Sequence, residues 1–238
     1  GQCVNSCTPQ CSGKQCGDNG CSGSCGTCSN GQTCSNGQCV NGGSNGLSGK
    51  KICIDAGHGG SSTGTAAYSL IEKNVNLDVA LRLKQILLTN EAIPIMIRTS
   101  DIDVSLEKRT SIANNNNCDI FVSIHCNGDK PNAKGTETFW AKPNPYYDKS
   151  IELANKVNSK MVSYLKTNNR GIKEDIYSAP GSLYVLRNTK MPAILVELAF
   201  LTNKDDNNKL KDSYYKQEAA RAILNGLQEY YGNSSTCT

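Results

Sequence analysis

The sequence predicts an α/β domain in which helices cover a mostly parallel sheet, preceded by a small disulfide-rich segment. From Lys51 onward, short apolar runs rich in β-branched residues alternate with segments of helical period. Before that point the chain is dense in cysteine, because nine of its thirteen cysteines fall within the first forty residues. At 238 residues the chain is long enough for one full α/β domain and one small appendage.

The cysteine-rich segment covers residues 1–45 and cannot bury an apolar core, because its cysteines are separated mainly by Gly, Ser, Asn and Gln. Cysteines at this density are typical of disulfide frameworks made in an oxidising compartment, so we expect a secreted protein. The alternative is a cysteine-only zinc module, which needs pairs of Cys-x-x-Cys spacings, and only Cys25 and Cys28 supply one. The nine cysteines are Cys3, Cys7, Cys11, Cys16, Cys21, Cys25, Cys28, Cys34 and Cys39.

Changes in composition predict the other domain boundaries. Residues 46–50 form the end of a flexible Gly- and Ser-rich linker, with the boundary near Gly46. Residues 51–232 form the main domain, and residues 233–238 form a tail. The numbered chain shows no signal peptide and no apolar run long enough to span a membrane, so we expect a mature or trimmed form. The net charge is +4 without a stripe of Lys and Arg, which disfavours a nucleic-acid partner. We expect the chain to be a monomer.

Six apolar runs predict the strands of the sheet, and four stretches of helical period predict the longer helices. The predicted strands are Lys51 to Asp55, Pro94 to Arg98, Ile120 to Ile124, Thr136 to Trp140, Leu183 to Arg187 and Ala193 to Leu198. The predicted helices begin near Glu72 and run over Ser105 to Asn115, Ile151 to Lys166 and Tyr214 to Tyr231.

Both histidines of the chain follow predicted strands. His58 comes just after the run that ends at Asp55, and His125 directly follows Ile124. Residues at the carboxyl ends of strands border the ligand crevice of α/β sheets, so we expect the two imidazoles to face one site. Imidazole is a favoured zinc ligand. Two unrelated histidines, one in a turn and one in the core, are the alternative.

Glu72 is the third candidate ligand. It lies one turn ahead of an apolar stripe on the first predicted helix, and a carboxylate there is costly to bury unless it is paired or binds a metal. The alternative is a glutamate favoured by the dipole at a helix N-terminus. With the two histidines it completes the set of two imidazoles and one carboxylate that catalytic zinc sites use. The stripe consists of Val75, Val79, Leu83, Ile86 and Leu87.

Glu197 is the candidate proton carrier, because it is the lone acid in an otherwise apolar run. Hydrolysis by a zinc-activated water needs a group that takes the proton of the water and passes it to the leaving amine. The alternative is a structural salt bridge to an arginine such as Arg98 or Arg187. We also expect Asp55 to brace the loop of His58 from behind.

The chain resembles the zinc-dependent N-acetylmuramoyl-L-alanine amidases of bacterial cell-wall turnover, the amidase type 3 family, over nearly all of residues 51–232. That family has a three-layer sandwich with a six-stranded mixed, mostly parallel sheet between helices. Eight ordered motifs carry the resemblance. They are Ile54-Asp-Ala-Gly-His58-Gly-Gly, Glu72-Lys-Asn, Arg98-Thr-Ser-Asp101 with Leu106 and Arg109, Ala113-Asn114, Phe121-Val-Ser-Ile-His125-Cys-Asn127, Gly135-Thr-Glu-Thr-Phe, Met191-Pro-Ala-Ile-Leu-Val-Glu197 and Phe200-Leu-Thr-Asn203.

The resemblance implies zinc ligation by His58, Glu72 and His125, and proton transfer by Glu197. The reaction implied is hydrolysis of the amide between the lactyl group of N-acetylmuramic acid and the L-alanine of the stem peptide, with peptidoglycan as substrate and the cell wall as the place of action. Two other functions stay open. One is a zinc peptidase that cuts within the stem peptide, and the other is a wall-binding protein without activity, which would need a broken site.

The sequence departs from the family at two positions. Cys126 stands where the family usually has a small residue, and Ala199 stands where Gly is common. Neighbours along a strand face opposite sides, so we do not expect Cys126 to be a fourth ligand beside His125.

Two further expectations concern a plug over the site and the odd cysteine. No long insertion interrupts the segment from Gly128 to Ile151, where some relatives carry a helix that plugs the zinc, so we expect an open site. Nine cysteines cannot all pair with one another, and we expect the unpaired one to bond with Cys237 in the tail.

Overall fold

The computed structural model describes residues 8–17, 19–21, 23–28, 32–35, 37–41, 46–179 and 181–232. The chain divides into two compact units, Gly1–Gly46 and Leu47–Thr238. The tail at 233–238, and with it the expected disulfide partner Cys237, lies outside the described residues.

The first unit contains a short antiparallel hairpin of β1 (Gln32–Ser35) and β2 (Gln38–Asn41). Disulfides join Cys11 to Cys25 and Cys28 to Cys39. The two members of the Cys-x-x-Cys spacing therefore belong to different disulfides, and neither thiol is available as a zinc ligand.

The second unit is built on a six-stranded sheet. Its strands are β3 (Lys51–Ala56), β6 (Ile93–Met96), β7 (Ile120–Asn127), β8 (Thr136–Trp140), β9 (Asn169–Glu174) and β10 (Ala193–Phe200), and a separate small hairpin is formed by β4 (Ala66–Ala67) and β5 (Leu70–Ile71). The strand order is β6-β3-β7-β10-β8-β9. Strand β8 is antiparallel to β10, and every other neighbouring pair in this sheet is parallel. The predicted mixed, mostly parallel sheet is confirmed.

Helices cover both faces of this sheet. They are α1 (Glu72–Leu88), α2 (Leu106–Asn115), α3 (Tyr147–Leu165), α4 (Tyr184–Arg187), α5 (Lys204–Lys211) and α6 (Ser213–Gly232), and a 3₁₀ turn spans Asp175–Tyr177. One apolar cluster packs α1, α3 and α6 against one face, and a smaller cluster packs α2 and α4 against the other. Alternation along each strand separates the two clusters, because Ile52 and Ile54 face the first while Cys53 between them faces the second. The result is a three-layer sandwich.

Local sequence signals explain where several elements begin. Helix α1 begins at Glu72 as predicted. Helix α2 begins after Ser105, whose side chain accepts a hydrogen bond from the backbone N–H of Lys108 as an N-cap. Leu47 is fully buried in the larger apolar cluster, so the main unit starts before its first strand.

Two elements differ from the sequence prediction. The predicted strand from Leu183 to Arg187 is wrong, because the chain forms the short helix α4 there. Asp175 stabilises this turn by accepting a hydrogen bond from the backbone N–H of Leu183 and by pairing with Arg187. Strand β9 was not predicted, since its sequence contains a single large apolar residue, Ile172. Pairing with β8 holds this strand at the edge of the sheet.

A third described disulfide joins Cys53 in β3 to Cys118 in the turn before β7. Its cysteines are 65 residues apart in sequence, and both are buried in the smaller apolar cluster. This bond lies within the main unit and supports the expectation of an oxidising compartment. No helix in the described part of the chain combines the length and apolarity needed to cross a membrane.

Candidate metal centre and active site

The three predicted ligands converge at one end of the sheet. His58 lies in the turn after β3, Glu72 is the first residue of α1, and His125 lies near the end of β7. The Nε2 atom of His58 is 3.2 Å from Glu72 Oε1, and the Nδ1 atom of His125 is 2.9 Å from the same oxygen. One nitrogen or oxygen of each side chain lies within 4.8 Å of the others.

Glycines make room for this cluster. A Cβ atom at Gly57 would collide with the imidazole of His125, and a Cβ atom at Gly64 would collide with the carboxylate of Glu72. His58 itself has a φ of 60°, a left-handed conformation that turns the chain sharply after β3. The tight turn therefore brings His58 against the carboxylate that His125 contacts from β7.

Glu72 is buried, and its carboxylate is held in its charged form. Its Oε2 atom accepts a hydrogen bond from Thr65 N at 2.8 Å, and its Oε1 atom accepts one from Cys126 N at 3.2 Å. Burial raises the pKa of Glu72, but hydrogen bonds with His125 and His58 outweigh it and hold that pKa far below the ordinary value. An ionised carboxylate between two imidazoles is a ready cation site.

Two buried arginines hold the backbone around His58. Arg98 donates to the carbonyls of Gly57 and Lys73 at 3.0 and 2.7 Å, which ties the His58 turn to the first turn of α1. Arg109 donates to the carbonyl of His58 at 2.7 Å. These bonds fix the distance between the first two ligands.

Asp55 acts on the His58 turn through Arg109. Its Oδ1 atom is 2.5 Å from Arg109 Nη1, and its Oδ2 atom accepts a hydrogen bond from Ser123 Oγ at 2.8 Å. Asp55 thereby orients the guanidinium group that holds the His58 carbonyl, which is the bracing expected of it. On the other side of the ring, His58 Nδ1 lies 2.9 Å from Ser62 Oγ.

Glu197 lies beside the cluster. In the strand register it is the partner of His125 in β7 and of Glu137 in β8, so the three side chains share one face of the sheet. One of its carboxylate oxygens, Oε2, is buried without a hydrogen-bond partner in the described part of the structure. Burial, together with the nearby charges of Glu72 and Glu137, raises the pKa of Glu197 well above its ordinary value.

The salt bridge considered for Glu197 does not form. Arg187 pairs with Asp175, and Arg98 donates to backbone carbonyls. Glu197 is therefore a partly buried acid whose Oε2 atom has no hydrogen-bond partner among the described residues, which is unusual unless the group has a chemical role.

Glu137 is the charged neighbour of Glu197 and is fully paired. Its Oε2 atom lies 2.8 Å from Arg170 Nε and 2.5 Å from Lys173 Nζ, while its Oε1 atom accepts a hydrogen bond from Asn127 Nδ2 at 2.5 Å. Burial raises the pKa of Glu137, but Lys173 and Arg170 outweigh it and the pKa lies below its ordinary value. Glu137 therefore stays ionised beside Glu197.

The donor set fits a zinc ion. Two ligand atoms about 2.0–2.1 Å from a tetrahedral zinc are about 3.3 Å apart, close to the observed separations of 3.2 and 2.9 Å. Cys126 is not part of the group, because its thiol is buried in the larger apolar cluster and burial raises its pKa well above the ordinary value. Among the described residues of this unit, the group of metal-capable side chains consists of His58, Glu72 and His125.

A cleft of about 870 Å³ opens over the cluster. His58, Glu72, His125 and Glu197 all line it. One wall comes from the start of α2 and the other from the segment leading into α4, which contribute the half-exposed side chains of Leu106 and Tyr184. The four side chains therefore face one open cleft.

Some of these residues had no role assigned from sequence alone. Arg98, Arg109 and Glu137 occur within the motifs of the amidase resemblance, and Arg170 and Lys173 fall in the strand that was not predicted. Their place within those motifs was the available signal for the first three. Their partners are distant in sequence, so the contacts emerge only in the fold.

A three-layer α/β fold with two imidazoles, one carboxylate and an adjacent unpaired glutamate at one sheet end is the arrangement of a metal-dependent hydrolase. The family profile of the N-acetylmuramoyl-L-alanine amidases matches residues 52–229. The chain belongs to this family.

Individual relatives agree. The uncharacterised protein YqiI of Bacillus subtilis (strain 168) is 40% identical over 185 residues, covering 78% of this chain and 86% of the relative. N-acetylmuramoyl-L-alanine amidase LytC of the same organism is 38% identical over 190 residues, covering 77% of this chain but 36% of the relative. The crystal structure of N-acetylmuramoyl-L-alanine amidase from Clostridium difficile 630 superposes with a TM-score of 0.71 at 36% identity, covering 79% of this chain and 99% of that one.

Proposed function

We propose that the chain hydrolyses the amide between N-acetylmuramic acid and L-alanine in peptidoglycan, with zinc held by His58, Glu72 and His125 and with Glu197 as the proton carrier. The observation that carries the proposal is the convergence of these four side chains on one open cleft. Family membership supports the reaction.

The chain supplies a fixed cation site and a fixed proton carrier. Zinc bound there would polarise the amide carbonyl and acidify the attacking water. Glu72 contributes a negative charge to that site, and Arg98 and Arg109 keep the His58 turn in place while charge develops. The preformed network avoids reorganisation during the reaction.

Glu197 takes the proton of the attacking water and delivers it to the nitrogen of the leaving alanine. Its raised pKa in the metal-free protein suits a group that holds a proton, and a nearby dication would shift it back toward the carboxylate form. A carboxyl group that can be either protonated or ionised serves both as acid and as base.

The action of the chain outside the cell is part of this proposal. Disulfides in both units support an oxidising compartment, and several relatives bear the name cell wall amidase. The chain spans only about a third of the length of LytC. The proposal therefore concerns the catalytic domain and does not extend to activities of the other parts of longer relatives. We expect the domain to act as a monomer on peptidoglycan.

Digestion of purified peptidoglycan tests the function directly. The protein alone, without any added partner, should release peptides that begin with L-alanine and leave the glycan chains intact, as read by mass spectrometry. A chelator should stop the release, and added zinc should restore it. Products cut within the stem peptide would indicate the peptidase alternative, and binding without products would indicate a wall-binding protein.

A further inference from the structure

Two cations on the edge strand share one buried carboxylate next to the active site. Arg170 and Lys173 both contact Oε2 of Glu137, which is 5% exposed, while the two cations are each about a third exposed. Among the described residues, Arg170 and Lys173 form ion pairs with Glu137 and with no other carboxylate. One positive charge is therefore left uncompensated and accessible to solvent.

An irregularity in the pairing of β8 with β9 directs the side chains of Arg170 and Lys173 toward the same carboxylate, that of Glu137. The register between β8 and β9 shifts between Thr136 and Thr138, opposite Gly171 with its φ of 78°. An extra residue in one strand re-aims neighbouring side chains, so Arg170 and Lys173 converge although they are three residues apart.

The positions of both cations are well defined. The guanidinium of Arg170 lies 4.7 Å from the ring centroid of Phe200 and pairs with Glu137, which leaves little rotamer freedom to lose on binding an anion. Asn127, which lines the cleft, donates to the other oxygen of Glu137 and connects the cation pair to the catalytic end of the sheet.

We propose that Arg170 and Lys173 form a subsite for a free carboxylate on the stem peptide, within two residues of the scissile amide. This inference rests on the proposed amidase function. Glu137, whose carboxylate both cations touch, is the direct cross-strand neighbour of Glu197, and such side chains start about 5 Å apart. An extended peptide advances about 3.5 Å per residue, so a carboxylate on the second residue of the stem reaches this distance.

A matched pair of substrates tests the subsite. Two soluble glycan–peptide fragments would differ only at the α-carboxyl of the second stem residue, free in one and a primary amide in the other. The protein should cleave the acid with a kcat/KM about tenfold higher than the amide, the size of effect expected for a charge-assisted contact. Lys173→Gln should reduce that preference severalfold, and Lys173→Arg should retain it.

Lys160→Gln is the matched control. Lys160 is 34% exposed against 31% for Lys173, and it also pairs with a glutamate, Glu229, but it lies on α3. This variant should keep the preference and the activity of the parent. A general loss of folded protein would lower cleavage of both fragments equally. The ratio of kcat/KM for the acid to kcat/KM for the amide therefore reports only on the subsite.

Equal cleavage of the two fragments by the parent protein would overturn the subsite while leaving the amidase intact. An unchanged ratio in Lys173→Gln would overturn it as well. Cleavage of neither fragment would overturn the amidase function, and the subsite with it.

Discussion

At the scale of single residues, the proposed role of Glu197 depends on the neighbours that the fold gives it. Its cross-strand neighbours are His125 and Glu137, and one of its oxygens is buried without a partner. Glu197→Gln keeps the shape of the side chain and removes the proposed base. We expect it to bind zinc normally and to lose roughly two to four decades of turnover, measured by peptide release and metal analysis.

His125→Ala is the companion variant, because it should lose the metal itself. The parent protein should contain about one zinc per chain, bound by three protein ligands. His125→Ala should contain far less metal and show no activity. Full metal content in this variant would remove His125 from the ligand set, and near-normal turnover in Glu197→Gln would make that glutamate a structural acid.

The sequence brings these candidate residues forward because each stands out from its local pattern. A histidine just after an apolar strand, or an acid within one, is visible without a structure, and His58, His125 and Glu197 all have this form. The support of Arg98 and Arg109 could not be predicted in the same way. Their acceptors are backbone carbonyls from other segments, and carbonyls carry no sequence signal.

At the scale of elements, α1 and α6 are joined by a charged contact. Asp78 lies 2.7 Å from Arg82 on its own helix and 2.5 Å from Lys216 on α6. Burial raises the pKa of Asp78, but Lys216 and Arg82 outweigh it and the pKa falls below its ordinary value of 3.8. A carboxyl pKa lowered by folding stabilises the protein above the unfolded pKa, and that stabilisation is lost as the pH falls through the folded pKa.

Asp78→Asn should therefore lower the free energy of unfolding by about 1 kcal/mol at pH 7, a value limited by the partial exposure of the groups. Urea unfolding should show the difference shrinking as the pH falls below about 4. In a Lys216→Gln background the same substitution should cost less, because the partner is gone. A difference that does not vary with pH would show that the contact is not electrostatic.

The crossing of α3 and α6 depends on Gly226. A Cβ atom there would lie 2.6 Å from the Cα atom of Val157, and backbone cannot move aside as a flexible side chain can. Alanine favours a helix over glycine by about 1 kcal/mol, but overpacking costs about 1–3 kcal/mol. Gly226→Ala should therefore destabilise the protein by up to about 2 kcal/mol in thermal unfolding. Gly232→Ala, with no atom within 4 Å, should be neutral or stabilising.

The elements that sequence predicts poorly are those stabilised from outside themselves. Strands β3, β7 and β10 have apolar residues on both faces and are recognised from their own sequence. Strand β9 is held by β8 and by the ion pairs of Glu137, and α4 is held by Asp175. Such partners come from other parts of the chain, so the local pattern cannot show them.

At the scale of the whole molecule, the cysteines divide into three groups. Cys53 and Cys118 pair with each other, and Cys126 is a buried free thiol. The remainder are the nine cysteines of the N-terminal segment and Cys237, an even number. Peptide mapping without reduction should therefore find a Cys53–Cys118 peptide and a free thiol at Cys126. It should also find Cys237 joined to one of the nine, and a free Cys237 would contradict this.

The Cys53–Cys118 bond should stabilise the catalytic unit independently of the other disulfides. It closes a loop with a sequence separation of 65, for which the chain-entropy model gives about 4 kcal/mol. Cys53 lies in the strand that leads to His58, and both cysteine side chains are buried, so replacing both by Ala removes the bond without adding polar atoms. The double variant should unfold in urea with a free energy lower by about 2–4 kcal/mol. At urea concentrations below its unfolding midpoint, the double variant should keep its zinc and its turnover, because the disulfide touches none of the four site residues. Loss of metal in the folded double variant would mean that the bond also sets the geometry of the site.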